Sequence, residues 1–234
     1  MHLPGAPSLL FLFYIVAFLP WLAIRSARRL RQIESSGQPA PPRQAIWTGT
    51  ILSQAVLLIL AWLVGRGFRY RIFAVPPFET RHLLAALAAL ALCFVLRWIS
   101  RIVRSPEERR RMAVYRWAPR TEQEWVLWTA AVLLAAVAEE AAYRGVGLSI
   151  LWYALGSPWP AVLISSSAFA LAHWTQGWKS AATIFCVALV MHALVALTGT
   201  LVFAMIVHAV YDFIAGYSIS RTAREHDRSA ALAQ

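Results

Sequence analysis

Residues Trp125–Leu155 read WVLWTAAVLLAAVAEEAAYRGVGLSILWYAL. Apart from Glu139, Glu140 and Arg144 near its middle, the run carries no charge. As one helix it would be about 46 Å long at 1.5 Å per residue. A bilayer's hydrocarbon core is only about 30 Å thick. Tilting, or a break near Gly145 and Gly147, would accommodate the excess. Gly156-Ser157-Pro158 then ends the run.

Six further apolar runs flank this one. Leu9–Ile24 comes first and is closed by Arg25, Arg28, Arg29 and Arg31. It has no basic leader and no small-residue cleavage site, so it reads as a retained helix rather than a signal peptide. Ile46–Val64 and Leu83–Ile99 follow; Trp159–His173, Ala181–Leu197 and Thr200–Ile219 lie beyond the central run. The predicted fold is therefore all-α, a polytopic transmembrane helix bundle of about seven spans. Composition agrees: 59% of residues are hydrophobic and 14% charged, against about half and about a quarter in soluble domains. Cys93 and Cys186 fall inside apolar runs without metal-ligand spacing and read as packing residues.

The net charge of +11 does not point to nucleic acid. The arginines concentrate in loops between apolar runs, as they do on the cytoplasmic face of a membrane protein. On that rule the stretches 25–43 and 100–120 and the tail from Arg221 share the cytoplasmic side, with the N-terminus outside. The Gly65–Arg81 loop, with four arginines of its own, fits this orientation less well. The expected organisation is three-part: N-terminal transmembrane helices with basic loops over 1–120, a transmembrane core over 121–220, and a polar tail over 221–234. The partner is the lipid bilayer, and the expected location is a bacterial inner membrane.

Of the chain's eleven acids, only Glu139, Glu140 and Asp212 fall inside predicted spans. An ionisable residue at the bilayer centre costs about 2.5–3.5 kcal/mol on insertion scales, so a functional site is the default reading. On a helix Glu140 and Arg144 stand at i and i+4 and can pair. Glu139 points about 100° away, with Tyr143 beside it. The next span carries Phe169-Ala170-Leu171-Ala172-His173, and the last carries His208-Ala209-Val210-Tyr211-Asp212. His208 and Asp212 share a face, where an aspartate can fix the histidine's tautomer. His192 has no motif around it and reads as structural. Ser165-Ser166-Ser167 reads as small residues at helix contacts.

Two chemistries suit a glutamate and two histidines. In one, a glutamate in a poorly solvated site acts as general base toward water, and a histidine donates to the developing oxyanion. In the other, a divalent metal sits at Glu139, His173 and His208, a set that matches a hydrolytic zinc site in kind. No His-Glu-x-x-His run is present, so the sequence does not require a metal, and no cofactor is expected.

In these residues the chain resembles the CAAX protease and bacteriocin-processing (Abi) family of intramembrane glutamic endopeptidases. The pattern is Glu-Glu-x-x-x-Arg, then Phe-x-x-x-His, then His-x-x-x-Asn or Asp, here at 139–144, 169–173 and 208–212. The resemblance implies an endopeptidase acting on a membrane-associated protein or peptide. It implies that Glu139 activates water, His173 assists it, and His208 and Asp212 stabilise the oxyanion, with Glu140 and Arg144 ordering the site. Asp212 departs from the asparagine of the best-known members: an anionic aspartate cannot donate to an oxyanion, so it either carries a proton or orients His208. The competing readings are a proton-coupled transporter, since membrane carboxylates and histidines also make proton relays, and a non-catalytic membrane immunity protein of the same fold.

Overall fold

The computed structural model describes residues 5–67, 70–75, 77, 79–110 and 112–232. Among them there is no strand. Helix α1 spans Ala6–Ser35, with a π-helical turn at Tyr14–Phe18. Helices α2 (Arg43–Gly67) and α3 (Thr80–Ile102) follow. Two short helices, α4 (Pro106–Arg110) and α5 (Ala113–Arg116), lie in the basic loop. Helix α6 covers Glu122–Leu155, α7 Pro158–Ala172, α8 Trp178–Thr198 and α9 Leu201–Leu232.

Six of these helices are long and apolar enough to cross a membrane, and the protein is an integral membrane protein. The remaining pass is α7, whose 15 residues make a helix of about 22 Å. Pro158 starts it, and it ends at Ala172, one residue before His173, where a short 3₁₀ turn (Trp174–Gln176) takes over. With α7 counted, the bundle has about seven spans. The polar tail from Arg221 continues α9 as helix to Leu232. An Arg221–Glu225 pair one turn apart, at 3.2 Å, supports that extension.

The basic segments meet at one end of the bundle. Arg116 pairs with Glu34 at 2.7 Å, Arg43 reaches both the Arg116 carbonyl at 3.2 Å and Glu124 at 3.5 Å, and the Ser220 hydroxyl donates to the Pro119 carbonyl at 2.6 Å. Lys179 holds Glu108 at 2.8 Å, and that hydrogen bond keeps the Glu108 carboxyl below the usual carboxylate range. Helix α6 starts here on a capping box between Thr121 and Glu124, which satisfies backbone donors at the helix entrance.

Helix α6 is the centre of the bundle. Its most apolar window is 56% buried, against 17–33% for the other five long helices. It packs against α2, α7 and α9. One apolar cluster joins α1, α2, α6 and α7 around Ile15, Leu57 and Val146; a second joins α3, α8 and α9 around Cys93, Leu194 and Val207. A π-helical stretch over Glu140–Gly147 widens α6, in the region where the glycines suggested a break. At Gly147 a β-carbon would lie 2.5 Å from both the Ala142 carbonyl oxygen and Ile15 Cδ1, so only glycine lets α1 close on the widened turn.

At Gly216 of α9 a β-carbon would strike the Trp128 ring of α6. Gly216→Ala is therefore expected to destabilise the protein by about 1–3 kcal/mol through overpacking, outweighing the gain of up to about 1 kcal/mol in helix propensity. Thermal unfolding in detergent checks this, with Gly49→Ala as the control. No atom lies within 4 Å of a β-carbon at Gly49, so that variant should be neutral or stabilised.

Candidate active site

The π-helical stretch of α6 carries the polar cluster. Glu140 and Arg144 are 0% and 2% exposed, and Arg144 Nη1 lies 3.2 Å from Glu140 Oε1. Two charges without water must be paired to persist. The Arg144 guanidinium also stacks on the Phe169 ring of α7, 4.1 Å from its centroid, a cation–π contact in a desolvated setting. Glu140 Oε1 has a second partner, His208 Nδ1 of α9, at 2.9 Å. A single buried carboxylate thus ties α6 to α9, and its arginine ties α6 to α7.

Glu139 faces elsewhere, as the helical offset predicts. Its Oε1 accepts a hydrogen bond from Gln54 Nε2 of α2 at 2.6 Å. Its Oε2 lies 3.9 Å from His208 Nε2, beyond hydrogen-bond range. Asp212 Oδ2 approaches the same ring nitrogen at 3.5 Å. Both nitrogens of His208 therefore face carboxylates, Nδ1 toward Glu140 and Nε2 toward Asp212 and Glu139. Asp212 is the most open of the three acids, with 36% of its side chain accessible against 10% for Glu139.

The site residues expected from the sequence converge, with one qualification. Glu139, Glu140 and Asp212 all approach His208, and Arg144 pairs with Glu140. His173 is joined to them through Phe169 alone: its ring packs 4.7 Å from the Phe169 ring, which meets His208 edge-on at 6.5 Å. His173 Nδ1 lies 2.8 Å from the Phe169 carbonyl oxygen. A carbonyl only accepts, so Nδ1 carries the proton and Nε2 presents a lone pair in the neutral ring. Tyr143 turns its ring edge to Phe169 at 5.1 Å and its hydroxyl to the Ile15 carbonyl at 3.4 Å. It packs on Phe169 and also interacts electrostatically with Glu139. Among the described residues, no group of three or more His, Cys, Asp or Glu side chains is arranged to hold a metal ion, so the zinc-like set of Glu139, His173 and His208 is not assembled.

Two neighbours escaped the sequence reading. Gln54 sits inside an apolar span, and an amide there was itself the available signal. His192 of α8 is buried with neither ring nitrogen hydrogen-bonded, and it interacts electrostatically with Glu140 and Arg144. Ser165 does more than fill space: its hydroxyl donates to the Tyr143 carbonyl at 2.8 Å.

A helical membrane bundle with a buried carboxylate–histidine cluster at the meeting of four helices defines the class. Residues 121–214 match the family model described as type II CAAX prenyl endopeptidase Rce1-like. The match begins at the N-cap of α6 and ends two residues beyond Asp212. It bears out the resemblance carried by the three motifs over that part of the chain. No curated protein and no solved structure matches the chain.

Removing one partner of the Glu140–Arg144 pair leaves a bare buried charge. Arg144→Ala is expected to cost about 3–5 kcal/mol, seen as a lowered unfolding temperature in detergent. The double variant Glu140→Leu/Arg144→Leu should lose less than the two single variants combined, because it strands no charge.

Proposed function

We propose that this protein is an intramembrane endopeptidase that hydrolyses a peptide bond of a membrane-associated protein or peptide, with Glu139 as the base that activates water. The observation that carries this reading is the opposition of two reactive atoms, each steadied from behind. Glu139 Oε2 faces His208 Nε2 across 3.9 Å. Gln54 fixes the other oxygen of Glu139, and Glu140 fixes the other nitrogen of His208. The separation is too long for a direct hydrogen bond and short enough for one water molecule to touch both groups.

In the proposed reaction, Glu139 takes a proton from water as its oxygen attacks the scissile carbonyl carbon, then passes that proton to the departing amine. The lone pair of His173 Nε2 helps to orient the water. The carbonyl oxygen becomes an oxyanion and needs a donor. With Nδ1–H committed to the Glu140 carboxylate, His208 donates from Nε2 only when its ring holds both protons. Asp212, lying against that same nitrogen, orients the ring and balances its charge. On this reading the aspartate that stands in place of the family asparagine has a positioning role. The basic end of the bundle is assigned to the cytoplasmic face of a bacterial inner membrane, in keeping with its arginines.

The test is proteolysis by the purified protein, with membrane proteins of the host as the substrate pool. Wild type should yield a cleaved species, and Glu139→Gln should yield none while unfolding at a comparable temperature. Identical patterns from the two folded proteins would overturn the assignment and favour proton-coupled transport. Gln54→Leu should lower kcat about 10²-fold, the loss expected when a reacting group is misplaced by about an ångström. KM should be nearly unchanged, since Gln54 positions the base rather than the substrate.

A further inference from the structure

At the basic end of the bundle, α3, α8, α9 and the loop helices enclose a cavity of about 100 Å³. Four of its lining side chains are arginines, Arg97, Arg101, Arg104 and Arg109, and no aspartate or glutamate lines it among the described residues. Arg104 is the anchor. It is 8% exposed, and its guanidinium donates to Ser100 and, at 3.0 Å, to the Ser180 hydroxyl of α8. None of the four arginines forms an ion pair among the described residues. The acid that acts on Arg104 electrostatically, Glu108, is held by both of its oxygens to Lys179 at 2.8 and 3.0 Å. Four positive charges thus converge on a small cavity that no acid lines among the described residues, and the nearby Glu108 is engaged by Lys179.

We propose that this cavity binds the phosphate of an anionic phospholipid headgroup from the leaflet on the basic side. Guanidinium groups chelate phosphate oxygens two at a time, and basic pockets between transmembrane helices take anionic headgroups. The size agrees. A cavity of about 100 Å³ has room for an oxyanion of phosphate size. Its level in the bundle also agrees. Arg97 and Arg101 lie one turn apart on the last turns of α3, and Trp98 between them is 63% exposed on the outer surface, where interfacial tryptophans sit. Ile102 and Val103, also exposed, continue that apolar surface and offer a bed for acyl chains. The site is distinct from the cluster around Glu139, although α9 joins the two: Tyr211 lines the cavity and the next residue, Asp212, reaches His208.

Native mass spectrometry of the full chain in a neutral detergent tests this, with dioctanoyl phosphatidylglycerol, dioctanoyl phosphatidylcholine and inorganic phosphate titrated separately. Saturable binding of one phosphatidylglycerol, tighter than of phosphatidylcholine or phosphate, is expected. Arg104→Gln also cuts the tie to Ser180, so the rim carries the test: Arg101→Gln and Arg109→Gln should each weaken phosphatidylglycerol binding about fivefold, the value of one charge near a membrane surface. The double variant Arg25→Gln/Arg28→Gln, at exposed arginines of α1, should leave binding unchanged. Undiminished binding in the two rim variants would overturn the proposal, as would an equal loss in the α1 variant. Inorganic phosphate binding as tightly as the lipid would overturn the assignment to a lipid.

Discussion

The buried pair of Glu140 and Arg144 sets the terms for everything around it. Two charges removed from water are stable only with close partners and further hydrogen bonds. Each member therefore recruits a neighbouring helix. Glu140 reaches His208 of α9, and Arg144 lies on the face of Phe169 of α7. The π-helical stretch that carries the pair belongs to the same solution. A widened turn is a local defect found mostly at functional sites, and it persists here because Gly147 lets Ile15 pack directly against it. The polar centre and the distortion of α6 are one structural unit.

From that unit follows the division of labour between two adjacent glutamates. Consecutive helical residues point about 100° apart, so the pair cannot share an environment. Glu140 is enclosed and bound to a cation, whereas Glu139 keeps partial access and has a neutral amide for a partner. A carboxylate held by an amide is oriented without being neutralised. That suits the base proposed here, and Gln54 provides the contact from a helix outside the matched region 121–214. The N-terminal helices are thus part of the polar centre, through Gln54 and through the Ile15 carbonyl that meets Tyr143.

The legible parts of the sequence were those in which cost is local. Seven apolar runs appear as seven helices because a span must satisfy its own backbone hydrogen bonds. Acids inside such runs stand out because each is expensive by itself. Spacing within one helix then gave the Glu140–Arg144 and His208–Asp212 pairs. What the sequence left hidden depends on contacts between helices. Gln54 meets Glu139 across 85 positions of chain, and no periodicity encodes that register. The same holds for the Glu140–His208 bond, which the motifs did not suggest; they paired His208 with Asp212 alone. The polar tail beyond Arg221 carries no apolar period to mark it as helical, yet a helix already nucleated by the preceding span extends at little further cost.

The tautomer of His208 follows from the same chain of contacts. A carboxylate can only accept, so Glu140 at 2.9 Å assigns a proton to Nδ1. Nε2 then holds a lone pair in the neutral ring and a donor in the charged one, and it is the atom turned toward Glu139 and Asp212. Arg144 pairs with the same Glu140 oxygen that meets His208, and so helps to hold that oxygen in place. Arg144 touches neither the water nor the peptide bond in the proposed reaction. It bears on the chemistry from two contacts away, through the Glu140 oxygen that meets His208.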